Sequence, residues 1–146
     1  PSDNRHGLVC AFSDYSTTVQ WGCSGTDLQG VPNVTSSPPT GTGAKIGDGY
    51  NNTNDILQDC PTATAAFAAR SLGAQWFLPS AKELNQMYIN KTTLEGVSGF
   101  LPFVNSYYWS STENDNNNAW DQNFFSGSQG SGSKNYESSM RAVRAF

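Results

Sequence analysis

Residues 24–53 contain so many turn-forming residues that the sequence predicts no long helix or strand across them. Glycine, proline, serine and threonine recur throughout, as in the run SSPPTGTG at 36–43. Glycine favours turns because it adopts left-handed φ values, and proline because it fixes φ and lacks an N–H. An irregular stretch of this length is uncommon in a compact domain and is often functional. A loop-rich β or α+β fold is therefore expected rather than a helical bundle.

Composition supports this expectation and narrows the class of partner. The chain has 146 residues, which fits one domain over 1–146. Only 14% of the residues are charged and the net charge is −4, so no overall attraction to nucleic acid or to an anionic membrane is expected. No apolar run approaches the roughly 18 residues of a membrane span, and we expect no membrane insertion.

Two helices are predicted after the irregular stretch. Pro61 stands at a suitable first-turn position, and Gly73 follows the alanine-rich segment that would form the first helix. Ser80 and Glu83 have the spacing of a capping box, in which the serine hydroxyl and the glutamate side chain each accept a backbone N–H. The second helix should therefore begin at this pair.

Short strands are predicted on both sides of the helices. Residues 7–11 read as a buried strand, and residues 14–23 as a second strand or an ordered loop. Near the C-terminus the segments 107–111, 119–125 and 140–146 alternate apolar and polar residues, which is typical of strands. They predict a terminal antiparallel meander whose two connections are rich in asparagine, serine and glycine.

Five blocks of this sequence resemble, in the same order, the C-terminal domain of the Legionella collagen-like adhesins. They are WFLPS with the following EL at 76–84, YWSSTE with AW and F at 108–124, RAVRAF at 141–146, WGCSGT at 21–26, and IGDG with NTN at 46–54. The match covers nearly the whole chain. Each block alone is weakly specific, whereas the ordered set is hard to obtain by chance.

The resemblance implies an α+β, C-type-lectin-like fold with two helices, a small antiparallel sheet and long irregular loops, in which the first and last strands pair. It also implies a homotrimeric adhesin head on the bacterial cell surface, carried by a collagen-like stalk. Such a head binds sulfated glycosaminoglycans or other anionic polysaccharides, and supports attachment, biofilm or aggregation. No cofactor is expected.

Cys10, Cys23 and Cys60 are an odd set, and their spacing suggests no metal site. One disulfide and one buried thiol are expected, which indicates an oxidising compartment. The resemblance implies that the disulfide joins Cys23, in the WGCSGT block, to Cys60, and that Cys10 is the buried thiol.

Three lysines are the candidate contacts for a sulfated ligand. Lys82 lies in the first turn of the second helix, Lys91 just past its end, and Lys134 in a glycine- and serine-rich loop. The helix dipole does not favour a cation at Lys82, and packing demands no lysine in the loop of Lys134, although a solvated surface is the ordinary explanation for all three. In a trimer every lysine is presented three times around one axis, so a local basic patch could attract a polyanion despite the net negative charge.

The tryptophans and arginines are expected to be mainly structural. Trp76, Trp109 and Trp120 could stack on sugar rings, but their apolar neighbours favour the core. Arg141 and Arg144 lie on opposite faces of one strand, so at least one should pair with a carboxylate such as Glu113 or Glu83.

Catalysis and metal binding have little support in the sequence. The formylglycine-generating enzymes of the same fold use two cysteines near the C-terminus, whereas every cysteine here lies at or before position 60. The sole histidine, His6, is close to a terminus. The oxygen-rich segment at 113–118 lacks the spacing of an EF-hand and reads as a polar loop.

Two alternatives to a polysaccharide-binding adhesin stay open. One is a protein-binding receptor of the variable C-type-lectin kind, using the loops at 114–118 and 126–139. The other is a trimerisation cap without a ligand.

Overall fold

The computed structural model describes residues 7–146, and His6 lies outside this range. Its helices and strands alternate with long irregular segments. In chain order they are β1 (Leu8–Cys10), β2 (Val19–Gln20), α1 (Gly49–Asp59), α2 (Thr64–Arg70), α3 (Ala81–Ile89), α4 (Lys91–Glu95), β3 (Tyr107–Glu113), β4 (Asn118–Asn123), β5 (Gln129–Ser133), β6 (Glu137–Ser138) and β7 (Val143–Ala145).

The strands form three small antiparallel sheets. β1 pairs with β7, β2 pairs with β6, and β3, β4 and β5 form a sheet in that order. The first and last strands therefore pair, as the resemblance implies. The prediction that 140–146 is the third strand of the meander is wrong, because β5 takes that place. The sequence QGSGS of β5 predicts a loop, because it lacks alternating apolar residues and contains two glycines.

Residues 7–146 contain four helices where two were predicted. α2 and α3 are those expected from the sequence, and α3 begins with the predicted capping box: Ser80 Oγ accepts from Glu83 N, and Ser80 N donates to Glu83 Oε2 at 2.7 Å. α1 begins inside the stretch predicted to be irregular. Its asparagines and threonine are weak helix formers, yet Asn52, Thr53 and Ile56 are buried in it, so packing and not propensity maintains this helix.

The core consists of two main clusters that adjoin the three-stranded sheet. The first packs α1 and α2 against Trp21 and Trp109, and the second is an aromatic group around Phe103, Tyr108 and Phe124. Trp120 lies in a third, smaller cluster and donates from Nε1 to Val34 O at 2.6 Å. These contacts place Trp109 and Trp120 in the core, as expected from the sequence.

A disulfide joins Cys23 to Cys60 at a sequence separation of 37, and Cys10 is a buried free thiol. The bridge spans the irregular segment and α1. Burial raises the pKa of the Cys10 thiol to about 12, although the nearby Arg141 opposes the shift. Cys10 is therefore a protonated core residue at neutral pH.

Residues 7–146 thus have an α+β architecture of helices and small antiparallel sheets, which confirms the predicted fold class. The more specific C-type-lectin-like assignment stays a prediction. None of the helices within residues 7–146 has the length and hydropathy needed to cross a bilayer.

Candidate functional site: exposed lysines and an acidic groove

Lys134 lies in the interior, which corrects its prediction as a ligand contact in a solvated loop. Its side chain has no exposed surface and forms an ion pair with the equally buried Glu113. Its ammonium also donates to Thr26 O at 2.9 Å and to Asn116 O at 3.2 Å, and it lies 4.8 Å from the centre of the Trp21 ring. Every hydrogen of the ammonium therefore has a protein partner, and none is left for a ligand.

The Lys134–Glu113 pair joins the two outer strands of the three-stranded sheet to the irregular stretch. Lys134 follows β5, Glu113 ends β3, and Thr26 belongs to the irregular stretch. Burial raises the pKa of Glu113, while the Lys134 ammonium and the N–H of Leu28 oppose the shift. Lys134 therefore has a structural role: its ammonium offsets the cost of burying the Glu113 carboxylate.

Lys82 and Lys91 lie near the surface at opposite ends of α3. Lys82 is exposed in the first turn. Lys91 is partly buried, and its ammonium is 3.4 Å from Asn105 Oδ1 and 3.3 Å from Phe124 O. The structure therefore does not bring the three predicted lysines together at one place.

A second exposed lysine lies beside Lys82, and sequence reasoning missed it. Lys45 belongs to the irregular stretch, and its carbonyl accepts from Ser80 Oγ at 2.7 Å. Lys82 N donates to Ala44 O at 3.0 Å. Both side chains are exposed, and neither forms a salt bridge within residues 7–146. We call Lys45 and Lys82 the basic pair.

Two carboxylates hold the turn that carries Lys45. Asp48 Oδ2 accepts from Gly43 N at 2.7 Å and from Lys45 N at 3.0 Å, and Glu83 Oε1 accepts from Gly47 N at 2.8 Å. These acids are occupied by backbone donors instead of the lysine ammoniums. No local sequence signal indicates the Glu83–Gly47 contact, because it joins positions 36 residues apart.

Of the two arginines, Arg141 is the structural one. It is buried, and its Nε donates to Asp14 Oδ1 at 2.6 Å while Nη1 donates to Leu101 O at 2.8 Å. The predicted partners, Glu113 and Glu83, are wrong, since Glu113 pairs with Lys134 and Glu83 accepts from backbone N–H groups. Arg144 is exposed and lies over the ring of Trp76, which is only partly buried.

A groove of about 750 Å³ lies where the chain leaves β5, crosses the three-stranded sheet and returns beside β3. We call it the Asp121 groove. Its lining comes from β3, β4, β5, β6 and the turn before β6, and consists of Tyr107, Asp121, Gly130, Ser131, Gly132, Asn135, Tyr136, Glu137 and Ser138. The lining contains two acids and no basic residue.

Asp121 is the unusual residue of this groove. It is 8% exposed, and within the described chain its carboxylate accepts no hydrogen bond and pairs with no cation. Burial alone raises its pKa to about 7. Oδ2 lies against β5 at Gly132, where an added methyl group would come within 2.6 Å of it. The glycine is therefore needed to leave room for the carboxylate.

The asparagine-rich segment after β3 forms a turn that binds its own carboxylate. Asp115 Oδ1 accepts from Asn117 N at 2.8 Å and Asn118 N at 2.9 Å. These bonds, with those of the Asn118 amide, lower the pKa of Asp115 against the opposing effect of burial. No group of three or more histidine, cysteine, aspartate or glutamate side chains with the geometry of a metal site occurs in residues 7–146.

Comparison with known proteins bears directly on the identity of the chain. The family model described as the Lcl C-terminal domain matches residues 11–144. A search of curated proteins finds no match. The matched range contains the disulfide, the basic pair and every residue that lines the Asp121 groove.

Proposed function

Because the chain belongs to the Lcl C-terminal domain family, and so is an adhesin-type domain, we propose that it is the head of a surface adhesin that binds sulfated glycosaminoglycans or related anionic polysaccharides. We place it outside the cell, on the bacterial surface, as a homotrimer. Biofilm formation or aggregation would follow from the same polysaccharide binding.

The observation that supports a polyanionic ligand is the basic pair at the start of α3. Two exposed ammoniums on adjoining backbone segments can approach successive sulfates of one chain. Acidic residues farther than about 8 Å are largely screened at physiological salt, so the net charge of −4 does not prevent local attraction. The residues proposed to contact the ligand are therefore Lys45 and Lys82, with Lys91 as a further candidate; the buried Lys134 is not one of them.

A trimer is supported by an exposed apolar patch next to the first sheet. Phe12 and Leu101 are 55% and 58% exposed, and Leu101 N donates to Phe12 O at 2.8 Å, so the two residues are neighbours. Neighbouring exposed apolar residues are a surface that a subunit contact would cover. A three-fold arrangement would present the basic pair three times and increase avidity for a long polysaccharide.

The proposed role is binding without catalysis. Cys10, the free thiol in the described chain, is buried and has a pKa of about 12, so it forms little of the thiolate that nucleophilic catalysis requires. Incubation with fluorogenic glycoside and ester substrates should give no turnover above a heat-denatured control. Sustained turnover would contradict this part of the proposal.

Heparin binding by charge-removing variants tests the ligand. Lys45→Gln with Lys82→Gln should weaken heparin binding about tenfold, which corresponds to about 1.4 kcal/mol. The matched control is Arg144→Gln, which removes an exposed cation from another surface and should change affinity little. Unchanged binding by the double variant, with the fold retained, would contradict the assignment of the basic pair.

Sedimentation velocity tests the trimer. The intact domain should sediment as a trimer, and Phe12→Ser with Leu101→Ser should shift it toward monomer. Phe67→Ser is the control, because Phe67 is equally exposed but lies on α2. A monomer at all concentrations would refute the trimer, whereas a trimer that ignores heparin would indicate a trimerisation cap.

A further inference from the structure

Asp121 differs from the other buried carboxylates in having no partner of its own. Three carboxylates are buried within residues 7–146: Glu83, Glu113 and Asp121. Glu83 accepts from the backbone of Ser80 and Gly47, and Glu113 pairs with Lys134. Buried charges in proteins are ordinarily paired or hydrogen-bonded, so an unpaired carboxylate facing a groove points to a ligand that supplies the missing cation or donor.

We propose that the Asp121 groove binds a protonated amine. The ammonium would donate to the Asp121 carboxylate, and the organic part of the ligand would lie along the groove. This site is separate from the basic pair and selects the opposite charge, so the inference does not rest on polysaccharide binding.

The walls of the groove suit such a ligand. Tyr107 and Tyr136 line it and are 49% and 67% exposed, so both rings have surface available for a ligand. Aromatic faces attract cations and also cover alkyl or sugar carbons. Glu137 adds a second negative charge at the exposed rim.

The floor of the groove leaves the carboxylate accessible. Asp121 pairs across the sheet with Gly130, and Oδ2 lies beside Gly132, so no side chain from β5 covers it. A volume of about 750 Å³ is in the range of small-molecule sites. A ligand larger than the ammonium itself therefore fits.

The negative charge of Asp121 favours an amine over a neutral sugar as the ligand of the groove. A carboxylate and tyrosines can also recognise sugar hydroxyls, but only a cation offsets the cost of burying Asp121 in its charged form. Burial raises its pKa to about 7 with no cation to oppose the shift. An ammonium supplies what the pocket lacks, and an anionic sugar would meet repulsion from Asp121 and Glu137.

Two sources carry this chemistry: an amino sugar and a lysine side chain of a partner protein. Titration by ¹H–¹⁵N NMR with glucosamine and with Nα-acetyl-lysine methylamide tests both, read at the backbone amides of Gly130 and Gly132. Shifts with at least one of them support the site, and the tighter binder identifies the source. N-acetylglucosamine, which lacks the charge, should bind about tenfold more weakly than glucosamine or not at all.

Asp121→Asn is the decisive variant, because it keeps the shape of the side chain and removes its charge. It should weaken amine binding about tenfold or more, since a desolvated charge pair is lost. The control Asp55→Asn makes the same change of charge on α1, outside the groove, and should leave binding unchanged. Thermal melting and the dispersion of the NMR spectrum verify that both variants are folded.

The proposal is overturned by any of three results. These are no shift at Gly130 or Gly132 with either amine, equal binding of glucosamine and N-acetylglucosamine, or undiminished amine binding by a folded Asp121→Asn domain. If the Asp121→Asn variant does not fold, Tyr136→Leu provides the test, because Tyr136 is exposed and its loss should weaken amine binding without affecting the core. Unchanged affinity in that variant would also count against the site.

Discussion

Replacing Lys134 by methionine should destabilise the domain strongly. The change removes the ammonium that pairs with Glu113 and donates to the carbonyls of Thr26 and Asn116. It leaves a fully buried carboxylate uncompensated, and Glu113 Oε2 already has no partner in the described chain. Breaking a buried ion pair by removing one member typically costs about 3–5 kcal/mol, a large part of the stability of a domain of this size.

Urea denaturation followed by tryptophan fluorescence measures this loss as a change in the free energy of unfolding. Lys82→Met is the matched control: the same substitution at an exposed site should change that free energy by less than about 0.5 kcal/mol. Glu113→Gln combined with Lys134→Met should recover part of the loss, because it removes the unpaired charge. The two single losses should therefore not add.

Acid should reduce the penalty in the Lys134→Met variant. Without its cation, Glu113 has a folded-state pKa raised further above its ordinary value of 4.5, so the folded state binds the proton more tightly than the unfolded state. The free energy of unfolding of the Lys134→Met variant, compared with that of the Glu113→Gln, Lys134→Met double variant, is then greatest below about pH 4.5 and falls as the pH rises. A loss below about 1 kcal/mol at neutral pH, or a penalty independent of pH, would refute the structural role assigned to this pair.

Three further predictions concern stability. Burial of Asp121 raises its pKa from 3.8 to about 7, so the unfolding free energy of the wild type, compared with Asp121→Asn, should fall by up to about 4 kcal/mol between about pH 4 and pH 7; Tyr107, Tyr136 and Glu137 line the same groove, and a flat difference would disprove the shift. Reducing the Cys23–Cys60 disulfide should cost about 4 kcal/mol by the chain-entropy relation for a separation of 37 residues, and an unchanged urea midpoint would contradict this. Arg141→Ala should cost about 3 kcal/mol because it removes the cation that pairs with Asp14 Oδ1 and the donor of the Leu101 and Pro102 carbonyls, whereas Arg144→Ala should cost less than about 0.5 kcal/mol, and equal losses in thermal melts would show that the structural assignment of Arg141 is wrong.

Features encoded by neighbouring residues were predictable from the sequence. The capping box of Ser80 and Glu83 requires only a spacing of three, and α3 begins there. The strands β3 and β4 carry apolar residues in an alternating pattern, and both form. Family resemblance added the pairing of the first and last strands, a long-range contact that local patterns cannot give.

Features maintained by distant contacts were not predictable. The helix α1 was missed because its weak helix formers are stabilised by burial against other parts of the chain. The strand β5 was missed because Gly130 and Gly132 have no side chain to alternate, and they are small for a reason visible only in three dimensions, the carboxylate of Asp121.

The candidate site shows the same division. Lys82 was identified because the first turn of a helix gives no structural reason for a cation. Lys134 met the same criterion but is buried, because its partner Glu113 lies 21 residues earlier and its role depends on that contact. Lys45 was overlooked because only folding brings it beside Lys82, and Asp121 because one aspartate in a polar strand has no sequence signature.

The most direct test of the central claim is the binding of the intact domain to heparin compared with chemically desulfated heparin, measured across a range of salt. If the head recognises sulfate through exposed lysines, heparin should bind, affinity should fall steeply between about 0.1 M and about 1 M salt, and the desulfated polymer should bind far more weakly. Equal binding of the two polymers, or heparin affinity that does not change with salt, would contradict a sulfated-polysaccharide adhesin.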